Sequence, residues 1–265
     1  MTDLYKASRV AEQAAYAAGT HLQASRSRLA EVMLLTQQKP AEVVLAIRRE
    51  ACALIRGVVL RQFADHAVFC AGVTGEPPSP RGQDPHWIVE ALDGETNYLR
   101  GYPQYAVSIA FVEGGEPQLG VVYDPYRNEF FGAIRGQGAV LNGVAIRCAA
   151  PRPPLEAIAA TVFPRPTSPR MSVYVAELAR VLRGFGGVRR SGSMALELAY
   201  LAAGRIDAFW AHDACVLESA AGIVLLRESG ALLNARDGLR PLGSRSLLAC
   251  TQALFEPFLS LLAEA

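Results

Sequence analysis

No apolar run in this chain reaches the roughly 18 residues that a membrane span needs, so hydropathy gives no support to a bilayer-crossing role. Net charge is equally scarce. The 265 residues sum to +1, which leaves a nucleic-acid interface without the basic excess that phosphate neutralisation requires. Arg-rich spots such as Arg189-Arg190 then read as solvated surface. The opening Met-Thr-Asp-Leu-Tyr-Lys lacks the charged and then apolar layout of a signal peptide. Five cysteines (Cys52, Cys70, Cys148, Cys215 and Cys250) are odd in number, scattered and without paired metal-ligand spacing. Reduced thiols in a cytoplasm are expected. What survives these exclusions is a globular protein with length enough for a large core, as one layered unit or two subdomains.

What is present centres on Trp87-Ile-Val-Glu-Ala-Leu-Asp-Gly-Glu-Thr-Asn-Tyr98. Trp87, Ile88, Val89 and Leu92 suit a buried strand, and Asp93-Gly94 breaks it at a turn that can open a helix with free backbone N–H groups. The strand delivers two carboxylates, Glu90 and Asp93, to that turn. Helix-start N–H groups suit an anion and carboxylate oxygens suit Mg²⁺, so the pair is able to hold a phosphate ester and the metal that neutralises it. On its own, Glu-x-x-Asp-Gly reads equally well as a strand ending in a tight turn with solvated acids.

Around this centre the chain alternates helical and strand patterns. Residues 4–35 form an Ala-rich helix with Ala11, Ala14, Ala15 and Ala18 on its apolar face. Pro40 opens a second helix, in which Val44, Ile47, Ala51, Leu54, Ile55 and Val58 recur at helical spacing. A short strand at 67–71 leads into the Gly/Pro-rich loop 72–82, and Asp84 and His86 read as turn residues. From Tyr105 to about Val144 a β-meander is expected, split by Gly-Gly, Asp-Pro and Gly-Gln-Gly turns. The Pro-rich piece 150–154 divides a metal- and phosphate-side half, 1–150, from a second half, 151–265. In that second half a strand (158–163), a helix (170–182), a helix opened by Ser191-Gly-Ser193, and a strand (206–210) follow.

The central stretch, with Tyr105-Ala-Val-Ser-Ile-Ala, Val121 to Phe131, Arg135 to Gly143, Arg190 to Arg205 and Ser219 to Gly230, resembles the inositol monophosphatase family over nearly the whole chain. That resemblance implies an α/β (α+β layered) fold, the αβαβα sandwich, a Mg²⁺-dependent phosphomonoesterase scaffold and a homodimer. It also implies site residues, position by position. Glu90, Asp93 and Glu218 stand at the family's metal-binding aspartates, two of them lengthened by one methylene. Glu76, or else Ala71 and Gly72, stands at the glutamate that supplies a further ligand. Gly94, Glu95 and Thr96 take the phosphate turn, and Ser191, Gly192, Ser193 and Asp213 the substrate side. Leu45 and Arg48 replace the Thr and Asp that position the attacking water, and Ala211 replaces a substrate-contacting acid.

The expected pocket therefore gathers Glu90, Asp93, Glu95 and Glu218 with Arg48 as a tethered cation. Three functions stay open on these residues. One is a Mg²⁺-dependent phosphomonoesterase of weakened activity, with a small-molecule substrate. The second is metal-free acid–base chemistry on a non-phosphate substrate. The third is a non-catalytic binding or regulatory protein that works through a partner.

Overall fold

In the computed structural model, residues 2–36, 39–74 and 84–263 are described. Two long helices come first, α1 (Leu4–Thr36) and α2 (Pro40–Gln62). A first sheet follows in chain order: β1 (Ala67–Cys70), β2 (His86–Asp93), the short helix α3 (Glu95–Arg100), β3 (Ala106–Glu113), β4 (Glu116–Asp124), β5 (Glu129–Ile134), β6 (Gly138–Leu141) and β7 (Val144–Ile146). Only β1 and β2 run parallel; the rest is the expected meander, with strands adjacent in the order of the sequence. A second sheet has the order β11-β12-β10-β8-β9, built from β8 (Ile158–Val162), β9 (Gly187–Arg189), β10 (Ala208–His212), β11 (Leu232–Ala235) and β12 (Ser246–Cys250). Its helices are α4 (Met171–Gly184), α5 (Met194–Ala202), α6 (Val216–Ser229) and α7 (Phe255–Ala263).

Three apolar layers hold these elements in five tiers. The first joins α1 and α2 to one face of the meander, with Ala11, Ala14, Ala15 and Ala18 fully buried against it. The second fills the space between the meander's other face, α5 and α6, and the second sheet. The third lies between the second sheet and the pair α4 and α7, around Trp210 and Phe258. The order is helix, sheet, helix, sheet, helix. Strand β2 is therefore covered on both faces, which explains why all eight of its residues are buried and why its sequence runs apolar rather than alternating.

The middle tier sits on a trough. Ala110, Gly120, Ala133 and Ala139 stand in register across β3, β4, β5 and β6, and all are buried. Small side chains there let α6 come close enough for its Ala221 carbonyl to occupy the space a Cβ on Gly120 would need.

Several expectations from the sequence need correction. Cys52 and Cys70 form a disulfide, with their Cα atoms 6.3 Å apart, joining α2 to β1; only Cys148, Cys215 and Cys250 are free. Eighteen residues of separation on a helix and a strand left no local sign of it. His86 belongs to β2 and is buried, its Nδ1 2.8 Å from the Asp84 carbonyl, rather than sitting in a turn. Leu54 is 42% exposed, whereas Cys52 and Val59 complete the buried face of α2. Among the described residues, no helix is long and apolar enough to cross a membrane.

Candidate active site

Glu90 and Asp93 are three residues apart on one strand, a spacing that in regular pleat sends side chains to opposite faces. The register of β2 against β3 slips between them: Glu90 faces Ser108 while Asp93 faces Ala106. Three residues of β2 thus span two of β3, and this bulge turns both carboxylates toward one cavity. Immediately after Asp93 the chain reverses at Gly94, whose φ of +85° is left-handed. A Cβ there would lie 2.6 Å from the Gln104 carbonyl, so glycine alone fits. Glu95 then starts α3.

The cavity, of about 300 Å³, is lined by Glu90, Asp93, Gly94, Glu95 and Thr96 from this stretch, by Arg48 from α2, by Gly192 and Met194 at the start of α5, and by Glu218 from the first turn of α6. Leu92, Asn97, Val162, Phe163 and Arg190 complete it. Of the side chains expected at a site, Asp213 lies outside this cavity; its backbone is left-handed at φ +60° and its carboxylate is 3.5 Å from Arg245. Glu76 falls outside the described residues. Ser191 and Ser193 act as struts. Ser193 Oγ donates to Asp93 Oδ2 at 2.6 Å, the Ser191 N–H donates to Glu197 Oε1 at 2.7 Å, and Asn97 Nδ2 donates to the Ser191 carbonyl at 2.8 Å.

Asp93 does more than face the cavity. Its Oδ2 also accepts from the Ala195 N–H at 2.7 Å, so the strand's last carboxylate caps the N-terminus of α5 across about 100 residues of chain. Arg48 reaches over from α2, resting on Gly72, and its Nη1 donates to Glu95 Oε1 at 2.6 Å. Glu95 is thereby paired, so its charge does not stand open where an anion would sit.

The remaining acids are short of positive charge. Burial, and then the charge of Asp93, push Glu90 up to about 8 even though Arg48 opposes the shift. Burial, then Asp93 and Glu90, push Glu218 up to about 8, with Arg165 opposing. Burial raises Asp93 to about 6 against the pull of its hydrogen bonds from Ser193, Ala195 and Gly94. His212, four residues before α6, brings no relief. It is buried with its Nε2 2.8 Å from Glu177 Oε2, while Arg236 holds the other oxygen at 2.7 Å.

A family model described as the inositol monophosphatase family matches residues 3–264. The chain belongs to the inositol monophosphatase family. Among its family relatives, Nus factor SuhB of Escherichia coli K12 is 35% identical over 231 residues, covering 86% of this chain and 85% of that protein. Inositol-1-monophosphatase of Rhizobium meliloti is 36% identical over 210 residues, covering 79% and 78%. Inositol monophosphatase from Anabaena (Nostoc) sp. PCC 7120 superposes with a TM-score of 0.84 at 29% identity, covering 98% of this chain and 96% of that one.

Family membership raises the question of a metal, which the side chains answer in two parts. In chemistry the set fits a hard divalent cation: Glu90, Asp93 and Glu218 offer only carboxylate oxygens, and the opposing charges of Arg48 and Arg165 do not offset the burial of the glutamates. In position, no three His, Cys, Asp or Glu side chains among the described residues converge on one point, so a cation would have to draw the glutamates together. Reading the family motifs alone missed Val162, Phe163, Met194 and Arg190 as cavity wall. Phe163 ends an apolar strand run and Arg190 directly precedes Ser-Gly-Ser, and those two placements were the available signals.

Proposed function

We propose that this chain is a divalent-cation-dependent phosphomonoesterase with a remodelled site and low turnover. One observation supports the reading above others: Glu90 and Asp93 from β2 and Glu218 from α6 line one cavity beside a glycine turn, and burial first, with carboxylate repulsion added, pushes both glutamates up to about 8. Glu90, Asp93 and Glu218 would hold the cation, with Asp93 fixed in place by its bonds to α5. When bound, a cation such as Mg²⁺ supplies neutralisation of the ester's negative charge and acidifies water. The Gly94 turn borders the space where the phosphoryl group would lie, and Arg48 keeps the Glu95 carboxylate from repelling it. Low turnover follows from α2, where half-buried Leu45 has no hydroxyl and Arg48 no carboxylate with which to orient water.

Titration calorimetry of the metal-stripped protein with Mg²⁺ and Mn²⁺ tests this, followed by phosphate release from a panel of sugar and inositol phosphates. Saturable binding that weakens in Asp93→Asn is the expected result. No binding at millimolar metal would remove the reading and favour proton transfer by Glu90 and Glu218, whose values near 8 suit acid–base work at neutral pH. That the relatives include proteins named Nus factor keeps a protein partner as the remaining outcome.

Linkage adds a pH signature. Glu90 and Glu218 have an ordinary value of 4.5 and are raised in the fold, so between about 4.5 and 8 the metal-free folded protein holds protons that the unfolded chain has released. Metal-free stability therefore falls as pH rises through that window. Thermal melts are expected to show a lower Tm near about pH 8 than near about pH 6, and a larger rise on adding Mg²⁺ at the higher pH. A Tm independent of pH would contradict it. Arg48 competes electrostatically with any cation here, so Arg48→Ala is expected to tighten Mg²⁺ binding by roughly threefold or more by calorimetry. Unchanged affinity would show that Arg48 does not neutralise the acidic cluster.

A further inference from the structure

Two arginines line the cavity, and they are in different states. Arg48 is paired with Glu95. Arg190, which follows β9 directly, has no hydrogen-bond acceptor and no ion-pair partner among the described residues. The acids on neighbouring elements are committed elsewhere. Glu197 feels the charge of Arg190, yet its Oε1 accepts from the Ser191 N–H; Glu177 holds His212 and Arg236, and Asp213 faces Arg245.

An exposed arginine is ordinarily solvated surface, and Arg190 departs from that in its seat. Its guanidinium carbon lies 4.6 Å from the centroid of the Phe163 ring, and its Nη1 is 3.3 Å from the point where a Cβ on Gly192 would stand. Phe163 and Gly192 are themselves cavity wall, so the side chain is held against the cavity at two places. A guanidinium offers a rigid fork of five N–H donors that matches a carboxylate or a phosphate. Here the fork is positioned while no protein acceptor fills it. Arg165, two residues after Phe163, adds positive charge on the same side of the chain and acts on Glu218.

The charges divide the cavity. In the phosphomonoesterase reading the cation on Glu90, Asp93 and Glu218 and the Gly94 turn take the phosphoryl group. Any further anion on the substrate is repelled by the carboxylates and attracted to Arg190. A hydroxyl in that place would accept a hydrogen bond and leave the arginine's charge unmatched.

Resting on the phosphomonoesterase reading, we propose that Arg190 is the subsite for a second anionic group on the alcohol part of the substrate, a carboxylate or a further phosphate, so that this chain prefers such esters over neutral polyol phosphates.

The test compares glycerol 2-phosphate with 2-phosphoglycerate and glycerol 1,2-bisphosphate in saturating Mg²⁺ at fixed ionic strength. In this series one hydroxymethyl group stays, becomes a carboxylate or gains a phosphate, so the two sources of the second anion are read separately. The wild-type protein is expected to show a KM at least about tenfold lower for one or both of the substituted esters. Arg190→Gln is expected to remove that advantage and Arg190→Lys to keep part of it, while Arg189→Gln, a neighbouring exposed arginine outside the cavity lining, leaves it intact. Equal KM values across the wild-type series would overturn the proposal. So would a loss in Arg190→Gln that is the same for all three esters, which marks a structural role, or an equal effect of Arg189→Gln, which marks a general surface field. If no ester is hydrolysed, the phosphomonoesterase reading fails by itself, and calorimetric binding of the same three compounds decides the subsite. Preferential binding of a substituted ester that is lost in Arg190→Gln supports it, and absence of preference overturns it.

Discussion

Asp93→Ala is expected to abolish cation-dependent phosphate release and, in the same protein, to lower the melting temperature. The two losses have separate causes. Removing the carboxylate takes away an oxygen ligand from the proposed site, and it also strips the acceptor from the buried Ser193 hydroxyl and the Ala195 N–H. Buried donors left without partners cost about 1–3 kcal/mol each, so the two together put about 2–6 kcal/mol of stability at stake. For a chain of this length that corresponds to roughly 2–4 °C in Tm per kcal/mol. Asp93→Asn separates the effects, because an amide oxygen can still accept from α5 while the charge is gone. Its activity should fall by more than about a hundredfold with a smaller change in Tm. A Tm for Asp93→Ala equal to that of the wild type would show that the strand does not anchor α5. Unchanged Mg²⁺ affinity in Asp93→Asn would remove Asp93 from the ligand set.

The other large effect is expected far from the cavity. Gly120→Val places a branched side chain where the Ala221 carbonyl of α6 already sits, and backbone cannot step aside as a flexible side chain can. Overpacking of this kind costs about 1–3 kcal/mol when side chains absorb it and more when a helix must lift, so about 3 kcal/mol or greater is expected. Denaturant unfolding should show a lower midpoint. Lifting α6 would also displace Glu218 in its first turn, so Mg²⁺ affinity should fall together with stability. A midpoint within error of the wild type would mean that α6 does not rest on the trough as described.

How much of this was legible beforehand differs by the kind of interaction. Local patterns carried well: the periodicity of α2, the apolar run of β2, and the Gly114-Gly115 pair, both left-handed at φ +65° and +73°, that turns β3 into β4. Short or late elements did not. β9 has three residues, too few for a pattern, and β11, β12 and α7 drew no reading. At the cavity, the motif positions Glu90, Asp93, Glu95, Glu218 and Arg48 line one space, whereas the partner each side chain takes was invisible. That Arg48 pairs with Glu95 depends on where a flexible side chain comes to rest between α2 and α3. That Asp93 caps α5 depends on packing across the middle tier. Asp213 looked like a neighbouring acid, and a left-handed backbone with Arg245 beside it takes it elsewhere.

The bond between Cys52 and Cys70 bears on the environment in which the protein is made. A closed ring of this size withdraws from the unfolded chain conformations worth about 3 kcal/mol on the loop-closure account, so the crosslinked and dithiol forms differ in stability though they share a fold. Cys52 lies one helical turn beyond Arg48, and Cys70 two residues before the Gly72 on which Arg48 rests. Preparations made with and without reductant are therefore expected to differ in melting temperature, the crosslinked form melting higher, with the arginine's two supports tied to each other only in that form.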